Sequence, residues 1–369
     1  MVRVVVASDK FKGTLTSAEV AAAVGAGVRR VHPDAAVVAV PVADGGDGTL
    51  AAAVAAGYTF VPVTASGPTG EPVESGYARL GDTAVVELAD VSGLVRLPDG
   101  VPAPLTATSY GTGELIAAAV DAGCTHIVLG IGGSASTDGG AGLVQALACR
   151  GLATPPGDWE QVIACSQTPA LIASDLDGVR VVVACDVDNP LTGPRGAAAV
   201  YGPQKGATPE QVAELDARLG AWADLVAERT GRDLRDAPGA GAAGGVGFAA
   251  LALLDAELRP GIELVLDLVG FREQLKGADL VVTGEGALDE QTLHGKAVAG
   301  VAAATRAYAG IPVVAVCGVN RLDAGRLRDA GVSAAYALTD VDPDVRRCLA
   351  EGRRLLEELG ERIAVEHLR

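Results

Sequence analysis

The two ends of the chain share one pattern, in which short apolar runs alternate with helical patterns. The runs are rich in β-branched residues, and polar turns follow them. Continuous apolar strands that alternate with helices are typical of a parallel sheet covered on both faces. The predicted strands are residues 3–7, 37–40, 280–282, 313–316 and 334–338. The first predicted helix is capped by Thr16 or Ser17 and ends near residue 31, and the others are residues 48–57, 295–308 and 343–365.

The middle of the chain has a different pattern. Residues 59–106 are rich in Val, Thr, Gly and Pro, which predicts antiparallel strands. Beyond them the pattern predicts three helices and two strands, at residues 112–122, 139–149, 209–229, 126–129 and 179–184.

These patterns predict a two-lobed α/β protein. A chain of 369 residues is long enough for two domains. One lobe is a parallel three-layer α/β/α domain, Rossmann- or flavodoxin-like and discontinuous, formed by residues 1–65 and 285–369. The other is an inserted α/β domain, residues 66–284, with a Gly-rich phosphate-binding loop.

Six polar, Gly-rich segments follow predicted strands or lie between predicted helices. They are residues 8–13, 43–49, 130–140, 185–190, 202–206 and 283–289. In open α/β sheets, ligands bind outside the carboxyl ends of the strands. We therefore expect the segments that end strands to meet in one crevice between the lobes.

The segment at residues 130–142 is the best candidate for a phosphate site. Its glycines, Gly132 and Gly133 among them, let the backbone approach an anion, and Ser134, Ser136 and Thr137 offer hydroxyl donors. A tight strand-helix connection without a ligand is the alternative. The common nucleotide motifs are absent, because the GK at residues 295–296 lacks the first glycine of a P-loop and the GxGxxG at residues 239–244 follows no strand.

Lysine is scarce in this chain, with five among 29 basic residues. Lys10, Lys12, Lys205 and Lys296 lie in or beside the polar segments, and Lys276 does not. A compact ammonium suits a transferring phosphoryl group. Chance clustering is the alternative.

Carboxylates recur in the same segments: Asp44, Asp47, Asp138, Asp186, Asp188 and Asp289. Phosphoryl transfer uses Mg²⁺, which binds one or two carboxylates together with substrate oxygens, and a base that accepts the hydroxyl proton. For any single aspartate, capping of a turn is the competing role.

The net charge of −17 and the pI near 4.6 leave no basic surface for a nucleic acid or an anionic membrane. The six cysteines include no CxxC pair, which favours reduced thiols over a disulfide framework. The apolar run at the N-terminus is too short for a signal peptide or an anchor, so a cytoplasmic location is expected.

Taken in order, the segments resemble the motifs of the bacterial glycerate kinase family. They read SDKFKGTLT at residues 8–16, PVADGGDGT at 41–49, GIGGSASTDGGAG at 130–142, DVDNPLTG at 186–193, YGPQKGA at 201–207 and TGEGALDEQTLHGK at 283–296. Departures from the usual family pattern include Lys10 in place of Ser, Asp47 in place of Glu, Thr137 in place of Asn and Ala287 in place of Arg.

The resemblance implies ATP-dependent phosphorylation of D-glycerate, with 2-phosphoglycerate favoured over 3-phosphoglycerate. A kinase for another small hydroxy acid and a non-catalytic sugar-acid sensor are the alternatives. Monomer and homodimer both remain open.

We assign hypothetical roles to the motif residues. Gly132, Gly133, Ser134, Ser136 and Thr137 bind the ATP phosphates; Lys205 and Lys296 neutralise the transferring group; Asp44 or Asp289 accepts the hydroxyl proton; Lys10, Lys12 and Asp47 bind the substrate; Asp186 and Asn189 hold Mg²⁺.

Overall fold

The computed structural model describes residues 1–148, 176–293, 296–308 and 310–368. It divides into two compact units. Unit 1 comprises Met1–Asp44, Ala51–Ala56 and Ile262–Arg369, and unit 2 comprises Gly45–Leu50 and Gly57–Gly261.

The secondary structure alternates along most of the chain. The strands are β1 (Arg3–Ser8), β2 (Ala36–Ala39), β3 (Thr59–Ser66), β4 (Pro72–Leu80), β5 (Thr83–Glu87), β6 (His126–Gly130), β7 (Arg180–Ala184), β8 (Glu257–Arg259), β9 (Leu280–Leu288), β10 (Val313–Asn320) and β11 (Ala334–Ala337). The helices are Ser17–Val31, Thr49–Ala55, Ala89–Ser92, Tyr110–Asp121, Ala141–Ala148, Ala197–Tyr201, Pro209–Thr230, Val246–Leu253, Gly261–Leu268, Phe271–Gln274, Ala297–Tyr308, Ala324–Asp329, Val345–Ala350 and Gly352–His367.

Unit 1 contains a five-stranded sheet in the order β2-β1-β9-β10-β11, and all its pairs are parallel. Numbered within the unit, this order is 2-1-3-4-5, which is the flavodoxin-like order. The order reverses between β1 and β9, where Ser8 pairs with Gly284. In such sheets ligands bind beyond the carboxyl ends of the strands at this reversal.

Local signals explain the first helix of unit 1. Thr16 and Glu19 form a reciprocal capping box at its start. This helix packs closely against the last helix, Gly352–His367, and glycine makes the close approach possible. A Cβ on Gly27 would lie 2.0 Å from the Glu357 carbonyl oxygen, and one on Gly360 would lie 2.4 Å from the Val24 oxygen.

Unit 2 contains a six-stranded mixed sheet in the order β3-β4-β5-β6-β7-β8. The first three strands pair antiparallel, as their composition predicts, and β5 to β8 pair parallel. Trp222 and Phe248 are among the largest fully buried side chains of its core. The Gly-rich segment at residues 130–140 and the polar segment at residues 185–190 follow β6 and β7, which belong to the parallel half of this sheet.

The division into units differs from the predicted boundaries near residues 66 and 284. Residues 59–66 belong to unit 2 because β3 pairs along its whole length with β4. Residues 262–284 belong to unit 1 because β9 is a central strand of its sheet, between β1 and β10.

Several elements also differ from the prediction, and the short helices Ala89–Ser92, Ala197–Tyr201, Gly261–Leu268, Phe271–Gln274 and Ala324–Asp329 were not predicted. The single helix expected at residues 343–365 is two helices, Val345–Ala350 and Gly352–His367, separated at Glu351. The short strand β8 was not predicted. Residue 149, the expected end of one helix, and residue 295, the expected start of another, lie outside the described residues.

No helix in the described part of the chain is long and apolar enough to cross a membrane. The four cysteines within the described ranges, at positions 124, 185, 317 and 348, are free thiols.

Candidate functional site

The Gly-rich segment of unit 2 connects the end of β6 to the helix Ala141–Ala148. Gly140 has a φ of +73°, and a Cβ there would lie 2.5 Å from the Ala249 Cβ. Gly132 is needed for a different reason: a Cβ on it would lie 2.6 Å from the Gly46 Cα. The loop is thus packed backbone against backbone, which fixes where its amides and hydroxyls lie.

Lys205 is buried beneath this loop. It is 2% exposed, and its Nζ donates to the Ser134 Oγ at 2.8 Å and to the Ser136 carbonyl oxygen. Burial lowers the pKa of Lys205 from 10.5 to about 7, and the charge of Asp138 opposes this shift. An ammonium held by two neutral oxygens carries positive charge that an anion at the loop would stabilise.

Two hydroxyls of the loop, Ser136 Oγ and Thr137 Oγ1, are buried and have no hydrogen-bond partner within the described residues. Buried polar atoms are normally paired, so each points to a missing partner. Asp138 is different, because its carboxylate accepts from the Ser109 N–H and hydroxyl, both at 2.8 Å, and from the N–H groups of Gly140 and Gly142. Asp138 therefore shapes the loop.

The segment at residues 43–49 is divided between the two units, with Asp44 in unit 1 and Asp47 in unit 2. Its unit 2 part is held by Glu87, the last residue of β5, which accepts from the Gly48 N–H at 3.2 Å and the Leu50 N–H at 2.9 Å. Burial raises the pKa of Glu87, and the charges of Asp47 and Asp90 add to the shift. Asp47 itself is exposed.

Unit 1 gathers carboxylates at the reversal point between β1 and β9. Asp9 follows β1, and its N–H donates to the Gly284 oxygen at 2.9 Å. Burial, with the charges of Asp44 and Glu285, raises the pKa of Asp9 to about 7 against the N–H bond from Lys10. The pKa of Glu285 is raised mainly by burial, and its Oε1 is buried without a partner within the described residues.

The other predicted residues of unit 1 lie close in sequence to the carboxylates of Asp9 and Glu285. Asp289 lies at the start of a short 3-10 helix, where its Oδ1 accepts from the Gln291 N–H at 2.9 Å. Lys296 donates to the Gln291 Oε1 at 2.8 Å and lowers the pKa of Glu285 through its charge. Lys12 is exposed, and Lys10 is half-buried next to Asp9.

The predicted metal ligands lie beyond β7 in unit 2. Asp186 is exposed, and its Oδ1 accepts from the Gly261 N–H at 2.8 Å. Asn189 uses both sides of its amide, since the Nδ2 donates to the Arg195 oxygen and the Oδ1 accepts from the Tyr201 hydroxyl at 2.6 Å. Among the described residues, no group of three or more Asp, Glu, His or Cys side chains could hold a metal ion.

Three carboxylates of these regions, Asp9, Glu87 and Glu285, were not among the predicted site residues. Asp9 and Glu285 lie inside segments that the sequence singles out, so the signal was the segment itself. Glu87 follows an apolar strand without any motif, and only the folded structure brings it to residues 48–50.

Unit 2 has a Gly-rich loop over a buried lysine, and unit 1 has several carboxylates at a flavodoxin-like reversal point. This combination is typical of an α/β enzyme that handles phosphates. The model of the glycerate kinase family matches residues 4–367. The chain belongs to the glycerate kinase family, as the sequence motifs predict, and it is a phosphotransferase that acts on a hydroxyl of glycerate with ATP as co-substrate.

Individual relatives agree with this assignment. The chain is 43% identical to glycerate kinase from Bacillus subtilis strain 168, covering 91% of this chain and 90% of the relative. It is 41% identical to glycerate 2-kinase from Escherichia coli K12, with the same coverage. A crystal structure from Salmonella typhimurium LT2, described as a glycerate kinase 2, matches with a TM-score of 0.83 at 39% identity over 99% of this chain and 98% of that one. The predicted α/β fold class is confirmed.

Proposed function

We propose that this protein phosphorylates the 2-hydroxyl of D-glycerate from ATP and releases ADP and 2-phosphoglycerate. The choice of hydroxyl follows the name of the Escherichia coli relative, which is 41% identical. The structural observation behind the proposal is the buried Lys205, held below two unpartnered hydroxyls of a Gly-rich loop.

In this proposal the ATP phosphates bind at the loop of unit 2. The Ser136 and Thr137 hydroxyls gain the partners that they lack, and Ser134, Gly132 and Gly133 line the same loop. Lys205 supplies positive charge from below, and Lys296 acts on the transferring group. Charge placed in advance in a buried environment stabilises the transition state more strongly than the same charge in water.

We further propose that Mg²⁺ accompanies the nucleotide and neutralises part of its charge. Mg²⁺ is commonly held by one or two carboxylates together with phosphate oxygens and water, so a single exposed carboxylate, Asp186, fits this role. Asn189 fits it less well, because its amide oxygen already accepts from Tyr201.

Glycerate itself is assigned to Lys10, Lys12 and Asp47. The two lysines offer ammonium groups for its carboxylate. The sequence assigns proton acceptance to Asp44 or Asp289. A cytoplasmic location is also part of the proposal, and the protein is proposed to act as a monomer or a homodimer.

Phosphorus NMR of the product tests the proposal. With ATP and D-glycerate we expect the signals of ADP and 2-phosphoglycerate, while L-glycerate gives at least tenfold slower turnover. Formation of 3-phosphoglycerate would contradict the choice of hydroxyl. A higher kcat/KM with tartronate or lactate would favour a different hydroxy acid, and binding without ADP formation would favour a sensor.

A further inference from the structure

Asp9 occupies a distinctive position in unit 1. It is the first residue after β1, at the point where the strand order reverses. Ser8 and Gly284 are the last pair of the β1–β9 register, and Asp9 and Glu285 directly follow them in sequence. Asp9 is fixed there by its N–H bond to the Gly284 oxygen at 2.9 Å and by the Lys10 N–H, which donates to its Oδ1 at 2.6 Å.

The surroundings of Asp9 oppose a negative charge on its carboxyl group. The charged groups that act on it are Asp44 beyond β2, Glu285 on β9 and Lys10 on its own loop. Burial is the main cause that raises the pKa of Asp9, and the charges of Asp44 and Glu285 add to it, whereas the N–H bond and the charge of Lys10 oppose it. An aspartate in such surroundings holds a proton more tightly than one in water, which is what proton acceptance from a hydroxyl requires.

Unpaired polar atoms on β9 also point to a ligand at this position. Glu285 Oε1 is buried without a partner within the described part of the chain, and so is Thr283 Oγ1. Thr283 is 0% exposed and lies two residues before Glu285, so both side chains leave the same face of the sheet. A hydroxy acid carries hydroxyl and carboxylate groups that can pair with such atoms.

We propose that Asp9, and neither Asp44 nor Asp289, is the catalytic residue that accepts the proton of the glycerate hydroxyl. This inference rests on the proposed function. The hydroxyl oxygen forms a bond to the γ-phosphorus of ATP while the bond from that phosphorus to the bridging oxygen breaks, and ADP leaves with that bond's electron pair. The hydroxyl proton passes to the Asp9 carboxylate and then to water once the product has left. Asp44 and Glu285 act as positioning residues that keep the basicity of Asp9 high.

The variant Asp9→Asn tests this proposal, because asparagine keeps an oxygen for the Lys10 N–H and loses the proton acceptor. We expect kcat to fall by about 10²- to 10⁴-fold, with the KM for glycerate changed by less than about fivefold. The wild-type kcat should rise with pH through about 7, where Asp9 loses its proton, and the variant should lose this dependence. Asp34→Asn, an exposed aspartate in a turn of the same unit, is the matched control and should leave kcat unchanged.

Several results would overturn the proposal. One is a kcat of Asp9→Asn within tenfold of the wild type, with circular dichroism showing a folded protein. Another is a large loss in Asp44→Asn or Asp289→Asn together with a normal Asp9→Asn. A third is an Asp9→Asn variant that keeps the wild-type pH profile but needs more Mg²⁺, since Asp9 would then be a metal ligand. If the wild type forms 3-phosphoglycerate, the proposed choice of hydroxyl fails, but this test still stands because either hydroxyl must lose its proton.

Discussion

At the scale of single residues, the buried ammonium of Lys205 lowers the stability of the fold, while its proposed role is to bind the phosphates of ATP. A lysine is rarely buried without a carboxylate bonded to it, and here its two hydrogen-bond partners are neutral oxygens. The nearby carboxylate, Asp138, is occupied by the N–H and hydroxyl groups around it. The folded protein therefore holds a buried charge that Asp138 stabilises only in part, and that an anion at the loop would stabilise further.

The variant Lys205→Met should separate the effect of the buried charge on stability from its effect on activity. It keeps most of the apolar stem and removes the ammonium, so kcat/KM for ATP should fall by about 100-fold or more. The ligand-free variant should unfold at a higher temperature at pH 7 than the wild type, because the charge is no longer buried. Steady-state kinetics and thermal unfolding measure the two effects.

The pH dependence of the free energy of unfolding also reports on the buried Lys205. The pKa of Lys205 falls to about 7 on folding, so from pH 7 to 9 the unfolded chain holds the Lys205 proton more often than the folded one. The free energy of unfolding should therefore rise with pH over this range, by at most about 1.4 kcal/mol per pH unit. The variant should lose this rise, and an equal slope in both proteins would show that Lys205 stays charged.

At the scale of elements, the Gly-rich loop depends on backbone contact. Gly132 packs against Gly46, at 2.6 Å for an added Cβ, and this contact joins the loop to the segment that Glu87 holds. The loop thus takes its shape from a second segment far away in sequence. We expect function to be sensitive to volume at this position.

Gly132→Ala should destabilise the protein by about 1–3 kcal/mol, because the methyl group must displace a backbone atom, and it should raise the KM for ATP. Gly220→Ala is the matched control. Gly220 lies within the helix Pro209–Thr230 and has no atom within 4 Å of an added Cβ, so alanine should stabilise by about 0.5–1 kcal/mol. Urea unfolding of both variants checks the signs, and an unaffected Gly132→Ala would argue against the close contact.

The elements also show how far sequence reasoning reaches. The strands and most helices follow from apolar periodicity, because β1, β9 and β10 are buried on both faces and read as continuous apolar runs. The boundaries of the two units are harder to place from the sequence, because they depend on which strands pair: β3 pairs with β4, and β9 pairs with β1.

The same limit applies to the candidate site. The Gly-rich loop was predictable because its glycines and hydroxyls are contiguous, and Lys205 because lysine is rare in this chain. The role of Glu87 was not, since its partners lie near residue 48 and no local pattern marks it. Nor does the sequence reveal that the Asn189 amide donates to the Arg195 oxygen and accepts from the Tyr201 hydroxyl, because such contacts depend on the folded chain.

At the scale of the whole molecule, the protein carries a net charge of −17 and acts on two anions, ATP and glycerate. In the proposed function, the lysines of the candidate site attract these anions at short range, whereas the total charge of the protein repels them at long range. Salt separates the two effects, because the screening length falls from about 30 Å at 0.01 M to about 8 Å at 0.15 M ionic strength. Approach of the substrates is governed by the long-range part.

We therefore expect kcat/KM for glycerate to rise by about two- to fivefold as ionic strength increases from about 0.01 to about 0.15 M at constant Mg²⁺, with kcat nearly unchanged. Sodium chloride and choline chloride should give the same curve, since screening does not depend on the identity of the cation. The prediction has the opposite sign to that for a protein with a basic binding surface, which loses affinity for anions in salt. A fall in kcat/KM would mean that the local field of Lys10, Lys12 and Lys296 extends beyond the screening length and outweighs the surface charge.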